Sequence, residues 1–349
     1  MIPKLISDEN IAKAKRIIAH SERFVIVPHV GPDGDAMGAS LGLWHYLTAI
    51  EKEAVVIVPT DFPDFLKWMP GCRRVIIYEH QKETAVQLIA TADVIFTLDF
   101  NAIARCGDMA ETVLQALSIK IMIDHHLYPD NFANIIISHP EISSTSELIF
   151  RFIIRMGDFP KIDRSCAECI YVGMMTDTGN FSYNSNNPGI YLIVAELLKI
   201  GINKDAIYNN VYGAYSVSRF RLMGYTLHKK MKIYPKYRTA LLTLSAKEMT
   251  NFDFTTGDTE GFVNMPLSIK GIEFSVFMRE DENKIKISFR SQGTFPANKV
   301  AKDVFDGGGH LNAAGAESYT TIQTTVKRFL AALPNYSNYL NRSSDETHM

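Results

Sequence analysis

The amino-acid sequence predicts an α/β fold: an N-terminal parallel-sheet domain with flanking helices, then a smaller C-terminal α+β domain. In the first half, short and continuously apolar runs alternate with helical patterns, which is typical of strands buried on both faces of a parallel sheet. From about Met231 onward, apolar and polar residues alternate between charged turns, which favours an antiparallel sheet with one wetter face. The predicted parts are the first domain (1–190), a helical linker (191–229), the second domain (230–335) and a partly disordered tail (336–349).

The individual elements follow from these patterns. The strands predicted for the first domain cover residues 24–29, 54–59, 74–78, 93–99 and 119–124. Helices are predicted between and after them, at 36–50, 82–90, 103–117 and 143–156. This repeated strand-helix-strand order predicts parallel pairing. In the second domain, strands are predicted within 231–244, 272–280 and 284–291, and helices at 297–305 and 321–333.

The composition limits the possible partners. The 349 residues are 46% hydrophobic and 21% charged, which suits a globular protein. A net charge of -2 and a pI near 6.6 argue against a broad basic surface for long nucleic acid. The apolar runs are far shorter than the roughly 18 residues that span a bilayer, and the N-terminus lacks a signal-peptide pattern. We therefore expect a cytoplasmic protein without a membrane or long nucleic acid as a partner.

Cysteine usage agrees with a reducing compartment, because Cys72, Cys106, Cys166 and Cys169 are too few for a disulfide scaffold. The last two have CxxC spacing. Without a second pair or a suitably spaced histidine, this spacing is predicted to be structural, on a helix that faces the core.

Ionisable residues follow several of the apolar segments. The first strand leads into His29, Asp33 and Asp35, in a loop whose glycines permit a tight turn. Taken alone, this loop is equally typical of a turn with a helix cap. However, Asp99 and Asp124-His125-His126 end two further strands, and Asp177 ends another apolar segment. Because parallel strands end at one edge of a sheet, and buried charges require compensation, the pattern predicts a metal centre.

The donor types indicate which metal. Four carboxylates and two imidazoles without a thiolate suit Mn²⁺ or another six-coordinate divalent ion better than a cysteine-rich zinc site. The carboxylates carry a charge that two divalent ions would balance. Two ions sharing one carboxylate, about 3.5–4 Å apart, can position a nucleophilic water and a phosphoryl oxygen.

The motifs PHVGPDGDAMGAS, TLDFN, DHH and MMTDTGNFSY resemble the four motifs of the DHH-family phosphoesterases, which include RecJ-like exonucleases and family II pyrophosphatases. Later, ISFRS and GGGHLNAAGA resemble the DHH-associated substrate-binding domain of the nanoRNase and pAp-phosphatase branch. The matching segments extend from residue 24 to residue 316. The resemblance therefore covers most of the chain.

The resemblance implies roles for individual residues. One metal would be held by His29, Asp33 and Asp99, and the other by Asp35, Asp99, His125 and Asp177, with Asp99 bridging. His126 would face the scissile phosphate, and Asp124 would orient an imidazole rather than bind metal.

Further residues are candidates for binding the substrate. Arg105 is close enough in sequence to Asp99 to neutralise a phosphoryl oxygen, although an arginine at a helix start often faces water. Arg290 could bind a non-scissile phosphate, with Ser291 as a hydroxyl donor, or it could be a solvated strand residue. A close approach to a phosphate or base is expected at Gly307, Gly308, Gly309 and His310.

The implied activity is hydrolysis of short 5′-phosphorylated oligonucleotides, such as nanoRNA or pApA, to mononucleotides, or of pAp to AMP and phosphate. Two alternatives stay open: a cyclic di-AMP phosphodiesterase of the same family, and a non-catalytic nucleotide sensor. An exonuclease for long DNA is disfavoured by the weak net charge, and a family II pyrophosphatase by the GGGHLNAAGA segment. The oligomeric state is open, with a homodimer as one alternative.

Overall fold

The computed structural model describes residues 3–213, 215–255 and 257–340. The chain divides after residue 214 into two compact units, each with its own sheet. This division falls inside the segment predicted as a helical linker. Within the described ranges, none of the helices combines the length and hydropathy that crossing a bilayer requires.

The first unit contains the predicted α/β arrangement. Its strands are β1 (Arg23–Val27), β2 (Glu53–Val58), β3 (Ile76–Ile77), β4 (Val94–Leu98), β5 (Ile119–Asp124) and β6 (Ile135–Ser138). Its helices are α1 (Asp8–Ala19), α2 (Gly34–Ala49), α3 (Lys82–Thr91), α4 (Ala110–Gln115), α5 (Thr145–Met156), α6 (Arg164–Asp177), α7 (Pro188–Ile200) and α8 (Lys204–Tyr212). Two of these elements, α1 and β6, were not predicted.

The strand order of the first sheet is β3-β2-β1-β4-β5-β6, and every pair is parallel, as predicted. Strands β2 and β3 lie on one side of β1, and β4, β5 and β6 lie on the other side. The direction in which strands are added therefore reverses between β3 and β4. In open α/β sheets such a reversal marks the ligand-binding crevice, which here would lie beyond the carboxyl ends of β1 and β4.

The helix predicted over 103–117 is interrupted. Residues Ile103–Met109 form 3-10 turns, and only Ala110–Gln115 is α-helical. The cause lies at Gly107, whose φ of 55° is outside the helical region.

Helices α2 and α6 lie against each other in antiparallel directions. The early residue Gly34 is beside Thr176, whereas the later Gly42 is beside Ile170. At Gly38, an added Cβ would lie 2.6 Å from the carbonyl oxygen of Cys169, so the two backbones touch. Cys166 and Cys169 are buried on α6, which agrees with the structural role predicted for this CxxC pair.

The second unit contains a sheet covered by helices. Its strands are β7 (Lys232–Tyr234), β8 (Thr239–Leu244), β9 (Phe274–Asp281), β10 (Lys284–Ser291), β11 (Gly308–His310) and β12 (Ala313–Ser318). Its helices are α9 (Val217–Tyr225), extended by a π-helical turn at Thr226–Lys230, α10 (Ala246–Thr250), α11 (Ala297–Phe305), α12 (Ile322–Ala332) and α13 (Ser337–Leu340).

This second sheet has the order β11-β12-β10-β9-β8-β7, and it is not wholly antiparallel as predicted. The β8 and β9 strands pair in parallel, with Leu241 opposite Val276. The long connection between them, residues 245–273, allows the crossover that a parallel pair requires. Alternating burial along β10 agrees with the predicted wetter face. The tail predicted from residue 336 begins at the end of the 3-10 turn Leu333–Tyr336 and continues into helix α13, and residues 341–349 lie outside the described ranges.

The close approach of α2 and α6 predicts that Gly38→Ala destabilises the first unit by about 1–3 kcal/mol, because the new methyl group meets backbone atoms that cannot rotate away. Gly42→Ala is the matched variant, since its methyl group would meet mainly the Ile170 side chain, and it should cost less. Both tryptophans, Trp44 and Trp68, lie in this unit, so their fluorescence during urea unfolding measures its stability. Equal stability of the Gly38 variant and the wild type would contradict the described packing.

Candidate metal centre

The loop after β1 brings three predicted ligands to the crevice. Asp33 is the N-cap of α2, and its Oδ1 accepts hydrogen bonds of 3.0 Å from the backbone N–H groups of Asp35 and Ala36. Its carboxylate also forms a cluster with the Asp99 carboxylate and the His29 imidazole. The ligand atoms of these three side chains lie within 4.8 Å of one another. Asp33 therefore both caps a helix and belongs to the cluster of potential metal ligands, two interpretations that were alternatives from the sequence.

Backbone carbonyls orient the two buried imidazoles. The Nδ1 atom of His29 is 2.9 Å from the carbonyl oxygen of Val30, and that of His125 is 3.2 Å from the carbonyl oxygen of Ile142. Because a carbonyl oxygen only accepts, each Nδ1 must carry the hydrogen. In the neutral ring, the Nε2 lone pair then points to the carboxylates, as a metal ligand requires.

Asp99 lies between these two imidazoles. Its Oδ2 is 3.4 Å from His29 Nε2, and its Oδ1 is 3.4 Å from His125 Nε2. The side chain is buried, and the residue has a φ of 63°, which is uncommon outside glycine. The end of β4 is thus bent so that one carboxylate reaches both rings.

The second cluster surrounds His125. Its Nε2 lies 3.8 Å from Asp35 Oδ2 and 3.6 Å from Asp177 Oδ2. Asp177 is the last residue of helix α6, so the apolar segment that precedes it is a helix and not a strand. The antiparallel packing of α6 on α2 brings the end of one helix to the start of the other, where Asp35 lies.

The N-terminus of α5 contacts the site, and the sequence analysis missed it. The backbone N–H groups of Thr145 and Ser146 donate to the two carboxylate oxygens of Asp35 over 2.6 and 2.9 Å. The Thr145 hydroxyl donates to Asp99 Oδ1 over 2.9 Å. The Ser144 to Glu147 spacing resembles a capping box and could have located the helix start, but not its tertiary contacts.

A buried ion pair supports this helix start. Glu147 accepts hydrogen bonds from the Arg151 guanidinium at 2.9 and 2.6 Å, and from the Ser143 hydroxyl at 2.6 Å. Arg151 also donates to the carbonyl oxygen of Pro3. The turn that holds Asp35 and Asp99 is therefore itself held by side chains of α5.

His126 is positioned by Asp124 and lies near Arg105. Asp124 Oδ1 is 2.7 Å from His126 Nδ1, and Oδ2 accepts the backbone N–H of His126 over 3.0 Å. Arg105 is half-buried, and its carbonyl oxygen accepts the N–H of Val30. Burial lowers the pKa of His126, the hydrogen bond to Asp124 opposes this shift, and the positive charge of Arg105 reinforces it.

The pKa shifts within the cluster reflect burial and the interactions among its charged groups. Burial raises the pKa of Asp35 well above its usual value, and repulsion from Asp99 and Asp177 adds to the shift. Burial also disfavours the charged form of Asp99, but the contacts with His125 and His29 hold its pKa well below the usual range. Although burial opposes protonation of both imidazoles, the carboxylates raise the pKa of His29 and, more strongly, that of His125.

Together these atoms fit a divalent cation. Two ligands that are each about 2.1 Å from one ion lie roughly 3 to 4 Å apart, which is the spacing between the imidazole and carboxylate atoms described above. The donors are oxygen and imidazole nitrogen, without thiolate. A cation would also reduce the repulsion between the carboxylates, which contributes to the raised pKa of Asp35.

In the second unit, the structure changes the expectation for Ser291. Its hydroxyl donates to the carbonyl oxygen of Phe295 over 2.7 Å and accepts from the side chain of Asn312. Since this hydroxyl has a single hydrogen, it has none left for the predicted phosphate contact. Arg290 lies half-buried on β10, where its Nη1 donates to the carbonyl oxygen of Phe289.

The glycines before His310 have a structural reason. A Cβ added at Gly307 would lie 2.2 Å from the carbonyl oxygen of Gly315. A Cβ added at Gly309 would lie 2.5 Å from the carbonyl oxygen of Ala313. Two of the three glycines are therefore required by the close approach of β12. Gly308 has open space around it, and β11 is the edge strand of the sheet.

Comparison with known families agrees with the division of the chain. Residues 23–174 match the DHH family, N-terminal domain, and residues 239–336 match the DHHA1 domain. These two segments contain all of the predicted site residues except Asp177, which lies three residues beyond the first match.

Curated relatives cover most of the chain. The bifunctional oligoribonuclease and PAP phosphatase NrnA of Thermus thermophilus is 30% identical over 83% of this chain and 82% of its own length. The cyclic-di-AMP phosphodiesterase GdpP of Geobacillus thermodenitrificans is 24% identical over 92% of this chain, but over only 49% of its own length.

Solved structures have the same fold. An exopolyphosphatase-related protein from Bacteroides fragilis is 54% identical, with a TM-score of 0.92 over 97% of this chain and 99% of that chain. RecJ from Thermus thermophilus, solved in complex with Mn²⁺, is 12% identical with a TM-score of 0.54, over 96% of this chain and 56% of that chain. At that identity, the likeness to RecJ concerns the fold alone.

The pKa shifts predict that metal affinity rises with pH. The raised pKa values of Asp35, His29 and His125 mean that these groups hold protons at pH values where their isolated counterparts have lost them. A cation must displace those protons, so binding becomes weaker as the pH falls. Titration calorimetry of the metal-free protein with Mn²⁺, in two buffers of different ionisation enthalpy, should show net proton release. A heat that is independent of the buffer would contradict this.

The hydroxyl of Thr145 predicts a second measurable effect. Thr145→Val keeps the side-chain shape and the backbone contacts but removes the donor to Asp99, so metal affinity should fall by about 10- to 100-fold. Thr145→Ser retains a hydroxyl and should stay near the wild-type affinity. If calorimetry gives the valine and serine variants the same affinity, this hydrogen bond does not position Asp99.

Proposed function

The chain belongs to the DHH family of phosphoesterases, and on this basis we propose that it is a metal-dependent enzyme that hydrolyses short phosphorylated nucleotides. The proposed substrates are 5′-phosphorylated oligonucleotides, such as nanoRNA and pApA, cleaved to mononucleotides, and pAp, cleaved to AMP and phosphate. The observation that carries this proposal is the convergence of Asp33, Asp35, Asp177 and two oriented imidazoles around the buried Asp99 carboxylate.

Coverage favours these substrates over cyclic di-AMP. The oligoribonuclease and PAP phosphatase relative aligns along most of both chains, whereas the cyclic-di-AMP phosphodiesterase has about half of its length outside the alignment. A cyclic di-AMP phosphodiesterase remains the second candidate, because the aligned half covers nearly all of this chain.

The ligand atoms support a centre with two ions, for which Mn²⁺ is the preferred candidate. We assign His29, Asp33 and Asp99 to one ion, and Asp35, Asp99, His125 and Asp177 to the other. Asp99 is suited to the shared position because its two oxygens approach different imidazoles. When bound, such ions lower the pKa of water and offset the charge on a phosphoryl group.

His126 is proposed to contact the scissile phosphate. Asp124 fixes the ring, and burial lowers the pKa of His126, which favours its neutral form before substrate arrives. A phosphate beside the ring would favour its protonated form, which stabilises the charge that develops when the P–O bond breaks. Arg105 would supply a second positive charge. The same proposal assigns the rest of the substrate to Arg290, Gly307, Gly308, Gly309 and His310. Ser291 is left out because its hydroxyl donates to the carbonyl oxygen of Phe295.

A substrate panel with the Mn²⁺-loaded protein tests the proposal. Turnover should be fastest with pAp, pApA and a 5′-phosphorylated trinucleotide, and slower with cyclic di-AMP, pyrophosphate and inorganic polyphosphate. Asp99→Ala should abolish turnover, because it removes the carboxylate that lies 3.4 Å from the Nε2 atoms of both His29 and His125. Faster hydrolysis of cyclic di-AMP would favour the second candidate. A folded, metal-loaded protein that hydrolyses none of the nucleotides would refute the proposed function.

A further inference from the structure

An exposed aromatic side chain lies two residues beyond His126. Tyr128 is 82% exposed, whereas His126 and the residues of β5 before it are largely buried. Its ring has no hydrogen bond, ion pair or aromatic contact among the described residues. Chain geometry limits the distance between the Cα atoms of Tyr128 and His126 to about 7 Å. The Tyr128 ring is therefore an exposed apolar surface on a residue that is close in the chain to His126.

The loop that carries Tyr128 is fixed to the segment that follows β4. The side-chain amide of Asn101 donates to the carbonyl oxygens of Leu127 and Tyr128 over 2.7 and 3.3 Å. In return, the backbone N–H of Asp130 donates to the carbonyl oxygen of Asn101 over 2.7 Å. Asn101 itself follows Asp99 by two residues, so both sides of this connection are close in sequence to residues of the site.

The backbone of Tyr128 is in an unfavourable conformation. Its φ is 60°, a region that bulky residues rarely adopt, and it precedes Pro129, a position that favours extended backbone. Burial of the ring does not explain the strain, since the ring is exposed. Glycine would adopt this φ without strain, so tyrosine at this position has no evident value for stability.

We propose that the Tyr128 ring is a stacking platform for the nucleobase adjacent to the scissile phosphate. This inference rests on the proposed function, because it takes His126 as the residue that faces the phosphate. Every nucleobase has a π-face, so an exposed aromatic ring on a fixed loop binds bases without reading their identity. Such a platform favours nucleotides over phosphate esters without a base, and its contribution is about 5- to 150-fold in affinity.

The test compares the binding of AMP and ribose 5-phosphate, which differ by the base. Titration calorimetry on the Mn²⁺-loaded full chain gives the ratio of the two dissociation constants for the wild type and for Tyr128→Ala, Tyr128→Phe and Tyr128→Gly. The wild type and the phenylalanine variant should bind AMP at least about 5-fold more tightly than ribose 5-phosphate. The alanine and glycine variants should lose this preference while their affinity for ribose 5-phosphate is unchanged.

Two controls separate stacking from structural effects. Tyr319→Ala removes an aromatic ring that is 75% exposed on the second unit, and it should leave the ratio unchanged. Tyr128→Gly should unfold at the same urea concentration as the wild type or a higher one, because it relieves the positive φ.

The platform would be refuted if the wild type did not prefer AMP, or if Tyr128→Ala kept the preference. Because the ratio is measured without turnover, this result is independent of the substrate panel. A chain that hydrolyses oligonucleotides but shows no effect of Tyr128 would lose the platform and retain the proposed function. A chain that hydrolyses none of the nucleotides but loses its preference for AMP in Tyr128→Ala would retain the base-binding site and lose the proposed hydrolytic activity.

Discussion

The buried carboxylate of Asp99, within 3.4 Å of an imidazole on either side, is the constraint on which the rest of the first unit depends. An isolated carboxylate in such surroundings would lose its hydration without replacement, at a cost of several kcal/mol. The protein offsets that cost with the Thr145 hydroxyl and with imidazoles whose other nitrogens are committed to backbone carbonyls. Carboxylates still outnumber the imidazoles in this cluster, which favours the binding of a cation there.

The helices determine how accurately the other carboxylates meet Asp99. Asp35 starts α2 and Asp177 ends α6, so the direct backbone contact at Gly38 determines how far apart the two side chains lie. The amide groups at the start of α5 hold both oxygens of Asp35, and the positive end of that helix favours its ionised form. Three helices and the ends of three strands thus determine the positions of the ligands, and rigid elements suit a site that must bind a cation with little rearrangement.

The apolar runs made the first sheet predictable, because strands buried on both faces need apolar residues at nearly every position. The site residues at the ends of β1, β4 and β5 were predictable for a related reason: polar groups at the ends of such runs are conspicuous. The role of Thr145 was not predictable, since its hydroxyl acts on a residue that is 46 positions away and nothing local marks that contact. The sequence likewise did not show that Ser291 is already bonded within its own unit, or that Gly107 interrupts a helix, because both depend on backbone conformation. The β8 and β9 pairing was mispredicted because alternation indicates a half-exposed strand and not its direction.

The antiparallel contact between α2 and α6 joins segments that are more than 100 residues apart in the chain. During synthesis, the glycine face of α2 leaves the ribosome long before its partner does, and the last ligand, Asp177, follows only at the end of α6. Loop closure over such a distance delays folding until the partner segment is available. A ribosome-bound chain that stops before α6 would therefore present carboxylates without the complete cluster, and the centre would form as a late event in the maturation of the first unit.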